Sequence, residues 1–200
     1  DCPDGYIVST SSETHFEIGM EIIGNKIPLL IEKPLTLDYK TSKELVDLAK
    51  NNNVNLMVGH VLLFHPAIKK IKELIDTNYF GDLRYLYSNR LNLGVVRSSE
   101  NVFWSLASHD ISVFKYLINL DPIEIKLFNQ SFLQKNINDI TVANFKYEND
   151  IKAHIFTSWS NPFKEHKLVI IGSEGMIVFE DSSEDKNILF YDKYYNTSDD

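Results

Sequence analysis

The sequence predicts two folds in series. Residues 1–60 read as a three-stranded parallel α/β segment. Residues 61–200 read as an α+β domain built on an open, mainly antiparallel β-sheet with helices on one face. Three observations carry this reading. Before residue 60, short apolar runs alternate with helical periodicity, the mark of strands buried on both faces. After it, strands predominate and are separated by tight polar turns such as Glu148-Asn149-Asp150 and Gly172-Ser173-Glu174-Gly175, which join antiparallel neighbours. Between the two patterns stands Gly59-His60, where the character of the chain changes.

Taken in order, residues 6–9 (Y-I-V-S) form the first strand. Thr10, Ser11 and Ser12 form a polar loop, and either serine can cap the helix after it. That helix runs to about Asn25, with Phe16, Met20 and Ile23 spaced for one buried face and Gly24-Asn25 as its stop. Residues 27–32 are the second strand. Pro34 cannot donate to a β-ladder, so the strand ends there with Glu32 and Lys33 at its carboxyl end. Thr41 and Glu44 read as a capping box for a helix carrying Leu45, Leu48 and Ala49. Asn51, Asn52 and Asn53 close it, and residues 54–58 supply the third strand. Strand and helix alternating at this spacing make two right-handed βαβ units, hence a parallel sheet.

The second part opens with a helix over residues 67–76, with Ile68, Ile71 and Ile75 inward. Strands are predicted at residues 83–92, 123–129, 140–147, 151–159, 167–171, 176–180 and 188–191. In the fourth of these runs Ile151, Ala153, Ile155, Thr157 and Trp159 alternate with Lys152, His154 and Ser158, so one face is buried. A helix over residues 108–119 interrupts the strands, with Ile111, Phe114, Leu117 and Ile118 inward.

Composition narrows the function. Twenty-eight acidic against 20 basic residues give a net charge of −8, which argues against non-specific nucleic-acid binding. An anionic ligand would have to be held by a few placed cations. No apolar stretch is long enough to cross a bilayer, so no membrane partner is expected. The single cysteine, Cys2, leaves no internal disulfide, and the cytoplasm is the expected compartment. The start at Asp1 and the polar tail at residues 196–200 read as the ends of a piece of a longer protein.

Three sets of residues can carry chemistry. Lys33 follows Glu32 at a strand end, where open α/β sheets bind ligands. His109-Asp110 begins a helix in W-S-L-A-S-H-D-I-S. Arg90 and Arg97 bracket R-L-N-L-G-V-V-R. A lysine with a histidine suits oxidation of an alcohol: the ammonium polarises the hydroxyl, and an imidazole with a pKa of roughly 6.5 accepts its proton near neutrality. The plainer alternatives are a helix-start histidine and two solvated strand arginines. His60, His65, His109 and Asp110 are the candidates for a metal site. His60 and His65 are five apart with Pro66 following, unlike a helical zinc pair, so no metal site is expected.

These residues carry a resemblance. S-T-S-S-E-T-H at residues 9–15, E-K-P at 32–34, Gly59-His60, R-L-N-L-G-V-V-R at 90–97 and L-A-S-H-D-I-S at 106–112 are similar to motifs of the Gfo/Idh/MocA oxidoreductases. Those enzymes pair a Rossmann domain with an open sheet domain. The resemblance implies that residues 1–60 are the C-terminal half of a Rossmann NAD(P)-binding domain. Residues 61–200 would then be an incomplete substrate-binding and oligomerisation domain. The implied branch oxidises the 3-hydroxyl of a UDP-N-acetyl-hexosamine or its uronic acid, in the biosynthesis of surface polysaccharides.

Carried over by position, Lys33 holds the substrate hydroxyl beside the nicotinamide and His109 is the acid/base. Thr10, Ser11, His15, Glu32, Lys33 and Pro34 line the cofactor, which is NAD or NADP. Lys33, Arg90, Asn92, Arg97 and His109 contact a nucleotide-sugar substrate, the arginines suiting carboxylate or diphosphate. Lys33 and His109 are expected to converge on one cleft, and the Lys33–Pro34 peptide bond is expected to be cis. The open sheet face implies a homo-oligomer. The glycine-rich turn that would bind the pyrophosphate does not occur in these 200 residues. The chain by itself is therefore expected to bind dinucleotide poorly and to be inactive. Ser105 stands where the family usually has an aspartate four residues before the histidine, and cannot supply its charge. Two alternatives remain: a non-catalytic relative that keeps the sheet domain for sugar binding or dimerisation, and a dehydrogenase of another sugar or inositol.

Overall fold

The computed structural model describes residues 3–94 and 96–194; Cys2, Val95 and the polar tail lie outside the described residues. The chain divides into two compact units, Asp1–Val61 and Leu62–Asp200.

The first unit is a parallel sheet of β1 (Tyr6–Val8), β2 (Leu29–Ile31) and β3 (Leu56–Val58), in that spatial order. Tyr6 lies beside Leu29, and Leu29 beside Leu56. Two helices cross between the strands, α1 (His15–Gly24) and α2 (Tyr39–Asn52). Val8, Ile23, Leu29, Ile31, Leu45 and Ala49 form the core. The buried stripe of α1 is His15, Gly19 and Ile23, while Phe16 and Met20 are only partly buried. Gly19 explains the rotation: a Cβ there would lie 3.0 Å from Leu45 and 3.2 Å from Ile31, so this face of the helix approaches the core more closely than a larger residue permits.

Two predicted caps are corrected. Neither Ser11 nor Ser12 caps α1, whose N-cap is Thr14 with no side-chain cap bond; a 3₁₀ turn at Ser12–Thr14 leads into the helix instead. Helix α2 starts earlier than a Thr41–Glu44 box requires. Its N-cap is Asp38, which accepts from Thr41 N at 2.9 Å, while the Thr41 hydroxyl donates to Asp38 Oδ2 at 2.7 Å. Asn53 ends α2 in the left-handed region at φ 55°, as the asparagine run suggests.

The second unit is a seven-stranded sheet formed by β4 (Leu83–Leu91), β5 (Glu124–Gln130), β6 (Ile140–Lys146), β7 (Lys152–Ser158), β8 (Glu165–Gly172), β9 (Met176–Glu180) and β10 (Ile188–Tyr191). Its order is β10-β9-β8-β4-β7-β6-β5. All pairings are antiparallel except the central one, where β4 runs parallel to β7. Helices α3 (Pro66–Asp76) and α4 (Ser108–Ile118) supply Ala67, Ile68, Ile71, Val113, Phe114 and Leu117 to one core with Leu86, Ala153, Ile155, Leu168 and Ile170 of the strands. Against expectation, Ile111 of α4 is 42% exposed, and its predicted inward place is taken by buried Asp110 and Val113. A five-residue π-helical segment, Phe103–Ala107, leads into α4. Among the described residues no helix is long and apolar enough to cross a membrane.

Candidate functional site

In the first unit the predicted residues gather at the carboxyl ends of the three parallel strands, because each strand stops in a polar loop there. Thr10 and Ser11 follow β1, Glu32, Lys33 and Pro34 follow β2, and Gly59 and His60 follow β3. The backbone ladder carries on past the strands: Glu32 N donates to Val8 O at 2.9 Å and Gly59 N to Ile31 O at 2.8 Å. The Lys33–Pro34 bond is cis, as the resemblance implies. The Glu32 carboxylate lies against Gly59, where a Cβ would meet it at 3.0–3.1 Å. Burial, and after it the Lys33 ammonium, pushes the pKa of His60 below its ordinary value. His60 therefore faces the lysine as a neutral imidazole near neutral pH.

His15 has a supporting place. Its ring is 1% exposed, with Nδ1 2.8 Å from Pro34 O and Nε2 3.2 Å from Thr10 O. A neutral imidazole can donate to only one of these carbonyls at a time. The ring ties the loop after β1 to the turn after β2.

In the second unit, His109 is the second residue of α4 and is half-buried; its carbonyl accepts from Ser112 Oγ at 2.7 Å. Asp110 beside it is turned into the interior. Arg90 Nε donates to Asp110 Oδ2 at 2.6 Å, Arg90 Nη2 to Oδ1 at 3.1 Å, and Ser88 Oγ to Oδ1 at 2.5 Å. Burial works against the Arg90 charge, but the Asp110 carboxylate and its hydrogen bonds outweigh it and hold the proton more firmly than usual. Arg90 is thus no solvated strand residue: it is buried and paired with Asp110. Arg97 differs: its side chain is 56% exposed, with Nε 3.1 Å from the buried Glu100 carboxylate. Asn92 is half-buried and anchored through its backbone N–H to Ser158 O at 3.0 Å.

The predicted residues therefore form two sets, one in each unit. Asp110, weighed from sequence only as a metal-ligand candidate, and Glu100, with no role predicted from sequence, are the carboxylates that pair with the two predicted arginines. The His109-Asp110 dipeptide at a helix start is the available signal for the first. Glu100 offers none. His65, a candidate metal ligand by residue type, caps α3 by accepting from Ala67 N at 3.2 Å.

The first unit is a parallel α/β sheet, of the kind that binds ligands at the carboxyl ends of its strands, and the second is a mixed sheet with helices packed on it. A model described as "Oxidoreductase family, NAD-binding Rossmann fold" matches residues 1–60, and one described as "GFO/IDH/MocA C-terminal domain" matches residues 68–178. The chain belongs to the Gfo/Idh/MocA family. It is 25% identical over 192 residues to an uncharacterised oxidoreductase of Streptococcus pneumoniae, covering 87% of this chain and 51% of that protein. It is 30% identical over 124 residues to UDP-N-acetylglucosamine 3-dehydrogenase of Acidithiobacillus ferrooxidans, covering 62% and 38%. A solved structure of that enzyme superposes with a TM-score of 0.82 at 23% identity, over 95% of this chain and 61% of the other. An inositol dehydrogenase homologue of Azotobacter vinelandii, solved with NADH and myo-inositol, gives a TM-score of 0.88 at 18% identity, over 96% and 54%, a likeness of fold. The chain spans about half the length of the curated relatives that it matches along most of its own.

Proposed function

We propose that this chain is part of an NAD(P)-dependent sugar dehydrogenase that oxidises the 3-hydroxyl of a UDP-N-acetyl-hexosamine or its uronic acid, with Lys33 and His109 as the catalytic pair. The observation that carries the substrate class is the 30% identity to a UDP-N-acetylglucosamine 3-dehydrogenase over 124 residues.

The polar loop ends of β1, β2 and β3 fit a nicotinamide dinucleotide, since a parallel sheet offers ligands that end of its strands. Thr10, Ser11, Glu32, Lys33 and Pro34 would line it, and the nicotinamide supplies the hydride acceptor. His15 would hold two of those loops in place. The Lys33 ammonium donates a hydrogen bond to the substrate hydroxyl and favours its alkoxide character, while the His109 imidazole takes the proton as the hydride leaves. Neutral His60 beside Lys33 adds no second positive charge. Arg97 and Asn92 are the substrate contacts of choice, Arg97 because its guanidinium reaches solvent and suits a carboxylate or diphosphate. In this reading the protein works in the cytoplasm as a homo-oligomer joined through the open sheet face.

The test is turnover by the complete gene product with NAD⁺ and with NADP⁺, offered UDP-N-acetylglucosamine, its uronic acid and, as a competitor class, scyllo- and myo-inositol. Reduced cofactor should form with the nucleotide sugars. Lys33→Met and His109→Asn should each lower kcat by about a hundredfold or more. Turnover of inositols alone would replace the substrate assignment, and unchanged kcat in either variant would overturn the catalytic pair.

A further inference from the structure

We infer that the buried Ser88–Asp110–Arg90 cluster is a positioning device for His109, setting the direction in which that imidazole points. The inference rests on the reading of His109 as the acid/base.

Three observations combine. The first turn of α4 has no side-chain cap, its N-cap being Ala107. The preceding segment, Phe103–Ala107, is π-helical and runs directly into α4, so regular α-helical winding begins at the turn that carries His109 and Asp110. Asp110 then receives three hydrogen bonds from two residues of β4, at 2.5, 2.6 and 3.1 Å, and is 5% exposed. Strand β4 lies at the middle of the seven-stranded sheet, held by β8 on one side and β7 on the other. A carboxylate locked to the sheet centre fixes the rotation of the helix turn that carries it. Neighbouring side chains on an α-helix diverge by about 100°, so pinning Asp110 inward dictates where His109 points. Asp110 is also well placed in the first turn, where the helix dipole favours a negative charge.

The surroundings keep the lock closed. His166 of β8 is the register partner of Arg90. It lines a small cavity of about 20 Å³, together with Ser88, Arg90, Asp110 and Asp181. Burial, with the Arg90 and Lys164 charges, lowers its pKa to about 4, so it does not compete with Arg90 for Asp110 at neutral pH.

The experiment measures kcat and KM in the complete gene product for Ser88→Ala, Arg90→Lys and the double variant Arg90→Met/Asp110→Leu, beside His109→Asn. Replacing a buried ion pair with apolar residues of similar volume often preserves folding, so the double variant isolates direction from stability. It should keep a cooperative thermal transition while kcat falls about tenfold or more and KM stays within about twofold, because a small misplacement of a catalytic group costs rate and not affinity. Ser88→Ala, which keeps the ion pair, should lower kcat about threefold and decides the matter if the double variant does not fold. Folded variants with wild-type kcat, or with raised KM and unchanged kcat, overturn the inference, the latter returning Arg90 to substrate binding. Wild-type turnover in His109→Asn would instead overturn the acid/base reading itself.

Discussion

His166 makes stability depend on pH in a calculable way. Its folded pKa is about 4, against an ordinary value of 6.5, with burial as the largest cause and the Arg90 and Lys164 charges adding to it. Asp110 and Asp181 pull the other way without prevailing. With the folded pKa below the unfolded one, the unfolded chain takes up the proton first as pH falls. The contribution is therefore whole above pH 6.5 and is lost between about pH 6.5 and 4. Without screening, moving from pH 7.5 to 5.0 would remove about 2 kcal/mol. The ring is only half-buried, and solvent screening reduces the expected loss to about 1 kcal/mol. Urea denaturation of wild type and His166→Gln at both pH values isolates the effect, since the other histidines contribute equally to both proteins. The wild type should lose about 1 kcal/mol more than the variant on acidification. An equal loss in the two proteins would refute the half-buried, cation-flanked placement of this ring.

Substitutions at three further positions probe the fold. Leu45→Ala, at a fully buried core position of the first unit, should cost about 2–5 kcal/mol, read from the urea midpoint of that unit. Asp38→Ala should cost about 1 kcal/mol and Asp38→Asn only a few tenths, and equal losses would show that Thr41, not Asp38, is the cap. Gly172→Ala places a Cβ 2.2 Å from the Phe80 carbonyl oxygen, so backbone must move. A loss of about 3 kcal/mol or a failure to express soluble protein is expected, and a wild-type melting temperature would contradict that close approach.

What the sequence determined by itself is the set of elements whose cause is local. The apolar runs ending at Val8, Ile31 and Val58 and the helices between them arise from periodicity and stop signals, which dictated the parallel βαβ order without knowledge of any contact. E-K-P and S-H-D were legible because their residue types are chemically informative wherever they sit. Tertiary structure decided the rest. The parallel pairing of β4 with β7 inside an otherwise antiparallel sheet joins residues far apart in the chain, and no turn between them encodes it. Apolar spacing favours Phe16 and Met20 for the inward face of α1 and Ile111 for that of α4. Close packing instead turned Gly19 and His15 inward in the first, and a buried carboxylate took the inward place in the second. Arg90 is the clearest case. A strand arginine reads as solvated or ligand-binding, and only its meeting with Asp110, twenty residues on, makes burial favourable. A lone buried charge is prohibitive and a well-bonded pair is not.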